Sequence, residues 1–199
     1  MSLWPDEVLA KTVKAELRKR TKALRAQMTA EQHRADSDAV CALVSKLDVF
    51  LHARSVGLYV PHVQYREVDV MPLMRACLAR GAAVGLPRWP GDLSMMEFGV
   101  AADEQDFDVE PRGWGMARQT APLLEPDLVI VPGLLFDEHG RRIGYGAGLY
   151  DRYLSGRKDG VATLGVCFEF QLAIDLPHGP HDAHVSQIVT DRRVVQRHE

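Results

Sequence analysis

Four stretches of this chain are apolar almost without interruption and end in turn residues: SVGLYV at 55–60, AAVGLP at 82–87, DLVIVPG at 127–133 and ATLGVCF at 162–168. Short continuous runs of this kind, without polar alternation, predict strands buried on both faces. Between them the pattern changes. Residues 70–80 and 148–155 read as helices, and the first third of the chain reads as two more, one over residues 7–28 and a second opened by the capping box Thr29-Ala30-Glu31-Gln32. MMEFGV at 95–100 and VSQIVTD at 185–191 predict shorter strands near a sheet edge. Strands alternating with helices imply a mainly parallel sheet with helices on both faces. The expected fold is therefore α/β, a single three-layer domain over residues 1–199 with a central sheet flanked by helices.

The stretch GLLFDEHGRRIGYGAGLYDRY at 133–153 stands directly after one of the predicted strands and carries the densest candidate chemistry. Gly144, Gly146 and Gly148 allow positive φ and a close backbone approach, so successive N–H groups can converge on phosphate oxygens where a helix begins. Asp151 sits one turn into that helix, where a carboxylate can hold a magnesium ion against the same phosphates, and Arg142 adds a fixed positive charge. Ligands of open α/β sheets bind beyond the carboxyl ends of such strands. The loop has neither the Gly-Lys-Ser/Thr of a P-loop nor the spacing of a dinucleotide loop.

This stretch resembles the 5-formyltetrahydrofolate cyclo-ligase family, also called methenyltetrahydrofolate synthetase, whose bacterial members carry a PG-x-aF-D-x-x-G-x-R-LGYGGGYYDR pattern. Pro132, Gly133, Phe136, Asp137, Gly140, Arg142, Gly144, Tyr145, Gly146, Gly148, Tyr150, Asp151 and Arg152 match it. Ile143, Ala147 and Leu149 depart from it, and Ala147 leaves the loop without a side-chain cation. The resemblance runs from Lys14 to about Thr190 and implies a sheet similar to that of ribose-5-phosphate isomerases and CoA-transferases. It also implies ATP as co-substrate and Mg²⁺ as cofactor. ATP would be bound by Lys14, Arg18, Arg142, Gly144, Tyr145, Gly146, Ala147, Gly148, Leu149 and Tyr150, with Asp151 on the metal.

The first helix carries Lys11, Lys14, Arg18, Lys19, Arg20, Lys22 and Arg25. Lys14 and Arg18, four residues apart, share one face and can reach a triphosphate together. They fall on the family's ATP-contacting lysine and arginine, and the other cations are expected to face solvent. For a folate, the resemblance points to Glu67 in REVDV at a helix start, to Val60 just after the first strand, and to Trp114 and Tyr150 as aromatic walls. Gln119 is a candidate polar contact in a segment, residues 116–122, that departs from the family's compact loop.

Composition narrows the partners to small molecules. A net charge of −3 lacks the basic surface that nucleic acid requires, and the apolar runs are too short to span a bilayer. The first seventeen residues show no signal-peptide pattern, and Cys41, Cys77 and Cys167 form no paired motif, so a cytoplasmic protein with reduced thiols is expected, a monomer by default. His178, His181 and His184 have a spacing that could chelate zinc, but their Pro/Gly-rich context reads as a solvated loop.

The implied reaction is the ATP- and Mg²⁺-dependent cyclisation of 5-formyltetrahydrofolate to 5,10-methenyltetrahydrofolate, with ADP and phosphate released through a phosphorylated formyl (imidoyl phosphate) intermediate. No residue need act as a covalent nucleophile. Two rival readings keep the fold: a folate- or nucleotide-binding homologue without turnover, and a sugar-phosphate isomerase, which would need a general base rather than a Lys/Arg pair.

Overall fold

The four continuous apolar runs become neighbouring strands of one sheet. The computed structural model describes residues 7–89, 93–156 and 161–197; residues 1–6, on which the absence of a leader pattern partly rests, lie outside that range. In chain order the elements are α1 (Glu7–Ala26), α2 (Ala30–Val44), α3 (Asp48–His52), β1 (Ser55–Gly57), α4 (Met71–Ala79), β2 (Ala83–Arg88), β3 (Glu97–Ala101), β4 (Asp108–Val109), β5 (Gly115–Met116) and β6 (Leu123–Leu124). They continue with β7 (Leu128–Pro132), β8 (Leu135–Asp137), β9 (Arg142–Ile143), α5 (Leu149–Ser155), β10 (Ala162–Val166), β11 (Leu172–Ala173), β12 (Gln187–Val189) and β13 (Val194–Gln196).

The main sheet has the order β13-β12-β10-β7-β1-β2-β3-β6. Its five inner strands from β12 to β2 are parallel, and β13, β3 and β6 join antiparallel at the two sides. Of the five parallel strands, β10, β7, β1 and β2 are the central four, and they are the ones that read as unbroken apolar runs, as strands covered on both faces do. The predicted strands at 95–100 and 185–191 shrink to β3 and β12, each one place from an edge. Thr29 caps α2 as its sequence predicts, accepting the Gln32 N–H at 3.0 Å.

One face of the sheet, with Val56, Val84, Leu86, Ile130 and Leu164, packs on α2, α3 and α4 through Val40, Val44, Phe50, Leu73 and Met74. The other face holds Val129, Val131, Phe98, Phe136 and Tyr153. On that side β1 and β10 present glycines, because aromatic rings lie against them: a Cβ at Gly57 would come within 2.8 Å of the Phe98 ring, and one at Gly165 within 2.5 Å of Phe136.

From β1 the chain crosses to β2 on one side, and β7 pairs with β1 on the other. Chain order therefore reverses between β1 and β7. The segments leaving their carboxyl ends diverge there and open a crevice, the place where α/β sheets bind ligands.

Candidate active site

That crevice is a cleft of about 470 Å³. It is lined by Tyr59 and Val60 after β1, Pro87 on β2 and Pro132 on β7, by the loop from Ile143 to Asp151, and by Lys14, Arg18 and Lys22 of α1, which lies against that loop. Apart from Gln119, every residue expected at the ATP, folate or metal positions lines this one cleft.

In the glycine loop, Gly146 (φ 109°) and Gly148 (φ 67°) take the left-handed conformation that side chains disfavour. Gly144 does not, contrary to expectation; its carbonyl instead accepts the Arg18 Nε–H at 2.9 Å, so this position serves the helix-to-loop contact. Gly148 caps α5, and Asp151 lies in its first turn as expected. Arg142, buried on β9, donates from Nη2 to Asp151 Oδ1 at 2.6 Å, and the Ala183 N–H reaches the same oxygen at 3.3 Å. The Asp151 side chain remains 26% exposed. Asp182, from the histidine loop, lines the same cleft and pairs with Lys14 at 2.6 Å. Two carboxylates beside the glycine loop are the hard-oxygen donors that Mg²⁺ takes, so the residues fit that ion, although no group of three or more His, Cys, Asp or Glu among the described residues forms an all-protein cage. Burial pushes the Asp182 carboxyl up, but the Lys14 hydrogen bond, the Gly179 N–H and the charges of Lys14 and Arg142 outweigh it and hold the group below the usual carboxylate range.

Beyond Lys14 and Arg18, α1 departs from expectation. Lys22 is not turned to bulk solvent: its ammonium lies 4.7 Å from the Tyr65 ring centroid and 5.2 Å from that of Tyr145. Arg25 is 2% exposed, donating from Nε to the Arg66 carbonyl and from Nη1 to the Tyr145 hydroxyl, both at 3.0 Å. The signal was in the sequence: positions 14, 18, 22 and 25 fall on one helical stripe.

Glu67 follows a 3-10 turn (Val63–Tyr65) and Arg66, whose φ of 45° reverses the chain and brings the carboxyl inward. It is 3% exposed; Oε2 accepts the His62 N–H at 2.8 Å, while the buried Oε1 has no hydrogen-bond partner. Burial raises its pKa, with the Arg25 charge as the largest opposing influence. Over it stands an aromatic cluster in which Trp114 meets His62 edge-on at 4.6 Å and Tyr145 at 4.8 Å, while Tyr65 stacks on His62 at 4.2 Å. Val60 bridges to Gly115 and so fixes β5 immediately after Trp114. Tyr150 has a buried hydroxyl without a partner, its pKa raised by burial and by Glu67. Gln119 is absent from this cleft; its amide reaches Met116 Sδ at 3.6 Å. His62 and Tyr65 carried no sequence signal of a role, since loop conformation alone brings them to the aromatic cluster.

A family model for the 5-formyltetrahydrofolate cyclo-ligase family matches residues 10–191. The chain belongs to that family. Among relatives of the cyclo-ligase family, a probable 5-formyltetrahydrofolate cyclo-ligase of Caenorhabditis elegans is 23% identical over 202 residues, 93% of this chain and 96% of the relative. The 5-formyltetrahydrofolate cyclo-ligase of Mycolicibacterium smegmatis is 32% identical over 123 residues, 58% of each chain. The solution structure of the Aquifex aeolicus 5,10-methenyltetrahydrofolate synthetase superposes with a TM-score of 0.80 at 28% identity, covering 94% of both chains. No helix among the described residues of this cyclo-ligase family member is long and apolar enough to cross a membrane.

Proposed function

We propose that this protein converts 5-formyltetrahydrofolate and ATP to 5,10-methenyltetrahydrofolate, ADP and phosphate with Mg²⁺. The observation that carries the reading is one cleft that joins a cationic helix stripe and glycine loop to a buried carboxylate beneath aromatic rings. The cationic side suits a nucleotide triphosphate, and the aromatic side a flat pterin with N–H donors.

An amide oxygen is a poor leaving group. The formyl oxygen attacks the γ-phosphorus, an O–P bond forms, the bridge to the β-phosphate breaks and ADP departs. N10 then adds to the activated carbon, gives up its proton, and the C–O bond breaks to release phosphate. Such a sequence asks the protein for positioning and charge neutralisation. Lys14, Arg18 and the backbone of residues 144–150 would bind the triphosphate, Arg142 would orient Asp151, and Glu67 with Trp114, Tyr150 and Val60 would aim the folate. Mg²⁺, held by Asp151, would supply positive charge to the phosphates.

The test mixes protein, 5-formyltetrahydrofolate, ATP and Mg²⁺ and follows the near-ultraviolet absorbance of the methenyl product. Product that requires both ATP and Mg²⁺ is expected. Absence of product beside an active control enzyme overturns the catalytic reading, and folate binding without turnover would then favour a binding protein.

A further inference from the structure

Arg25 has no part in the reading above, yet it is the most deeply buried cation of α1, and both of its hydrogen bonds go to neutral oxygens. One of them fixes the Arg66 carbonyl, in the left-handed turn that delivers Glu67 to the cleft. The other holds the Tyr145 hydroxyl, which itself acts on Glu67 as a hydrogen-bonding neighbour and helps to keep that carboxyl ionised, although Oε1 has no partner at normal hydrogen-bond distance. A buried guanidinium with only neutral partners needs a counter-charge nearby, and a buried carboxyl with an unfilled oxygen needs a cation to remain ionised.

Resting on the folate reading of this cleft, we propose that Arg25 is a positioning residue: it holds Glu67 as a carboxylate and fixes the turn that aims Oε1 at an N–H of the bound folate. A protonated Glu67 could offer its hydroxyl but would lose much of its strength as an acceptor, so binding should weaken as pH falls. The groups that face Glu67 are Arg25 from α1, His33 from α2, whose Nε2 meets the Glu67 backbone carbonyl at 2.6 Å, His62 and Tyr145 from the flanking loops, Tyr59 after β1 and Tyr150 from α5. Among these, Arg25 opposes the effect of burial most strongly. Removing its charge moves the acid limb of folate binding to higher pH.

The experiment measures 5-formyltetrahydrofolate affinity against pH by quenching of tryptophan fluorescence, without ATP, in wild type, Arg25→Gln and Arg25→Lys, each checked by circular dichroism. In Arg25→Gln the acid limb should rise by about one pH unit, weakening binding about tenfold at pH values below the limb, while ATP affinity changes less than about threefold. Arg25→Lys should return most of the shift. A folded Arg25→Gln protein with an unmoved limb, or with equal loss at every pH that lysine does not rescue, overturns the inference and leaves the cyclo-ligase reading intact. Wild type that neither binds nor converts the folate removes both. Should Arg25→Gln fail to fold, Glu67→Gln must abolish the limb; a limb that survives shows that Glu67 is not the group Arg25 serves.

Discussion

Replacing Asp151 by asparagine keeps the side chain's shape and removes its charge, so two separable effects should follow. The first is structural. Arg142 and Asp151 meet at 2.6 Å with side chains 5% and 26% exposed. Breaking a fully buried pair costs about 3–5 kcal/mol because one charge is left uncompensated, whereas exposed pairs contribute about 0–1 kcal/mol. This pair stands between those limits. The other hydrogen bond of Arg142, from Nη1 to the Pro132 carbonyl, is long at 3.5 Å, and its Nε has none, so its charge would be left to the Tyr150 ring, 5.5 Å away, and to the field of Asp182. Asp151→Asn should therefore lose about 2 kcal/mol, or roughly 4–8 °C in Tm for a chain of this size. The double variant Arg142→Met/Asp151→Asn should recover about half of the summed loss, since no orphaned charge remains. The second effect is catalytic: turnover should fall about a hundredfold or more, with partial return at high Mg²⁺, if Asp151 holds the metal. Urea unfolding and the methenyl absorbance assay measure the two. Full turnover with unchanged Mg²⁺ dependence would refute the metal assignment, and unchanged stability would refute the electrostatic account.

Gly115→Ala places a Cβ 2.4 Å from the Val60 side chain, so the Val60–Gly115 bridge should open at a cost of about 1–3 kcal/mol; a lower Tm and a raised KM for the folate, through displaced Trp114, check it. Cys41, Cys77 and Cys167 are all buried, and burial pushes the Cys41 thiol up to about 12, so a thiol reagent at pH 8 should label none of them until denaturant is added. The Asp182 carboxyl lies below its ordinary value of 3.8 when folded, so it stabilises the protein above that pH and ceases to as pH falls through the lowered value. The Tm difference between wild type and Asp182→Asn should accordingly be constant above about pH 5 and shrink below about pH 4.

The inner sheet was legible because each of its strands is covered twice, so hydrophobicity alone marks it. Edge strands such as β6 and β13, two and three residues long, leave no such trace. The glycine loop was legible in outline, as an element between β9 and α5, but not in detail: which glycines turn left-handed depends on where Arg18 seizes a carbonyl. The stripe that includes Arg25 was visible, but not which of its cations turns inward. A lysine- and arginine-rich helix usually presents its charges to water, and only the placement of Arg66 and Tyr145 opposite residue 25 makes that position an interior one.

The attachment of α1 constrains how any variant in this helix should be interpreted. Ala10, Thr21 and Arg25 are its deeply buried side chains among those described, so little apolar area holds it. Besides Leu17, packed on Leu135, Ile143 and Leu176, what ties it down are polar contacts: Lys14 to Asp182, Arg18 to the Gly144 carbonyl, Lys22 over two tyrosine rings, and Arg25 to Arg66 and Tyr145. Each of these polar contacts ends on a residue at the cleft or on the turn that builds it. Phosphate oxygens entering the cleft would compete with Asp182 for Lys14 and with Asp151 for Arg142, since both cations already have a carboxylate at 2.6 Å. Binding and helix docking thus draw on the same charges. A loss of activity in a Lys14 variant is evidence for a nucleotide contact only when the helix is shown to remain docked, for which hydrogen exchange of the α1 amides in the absence of ligand is a direct reporter.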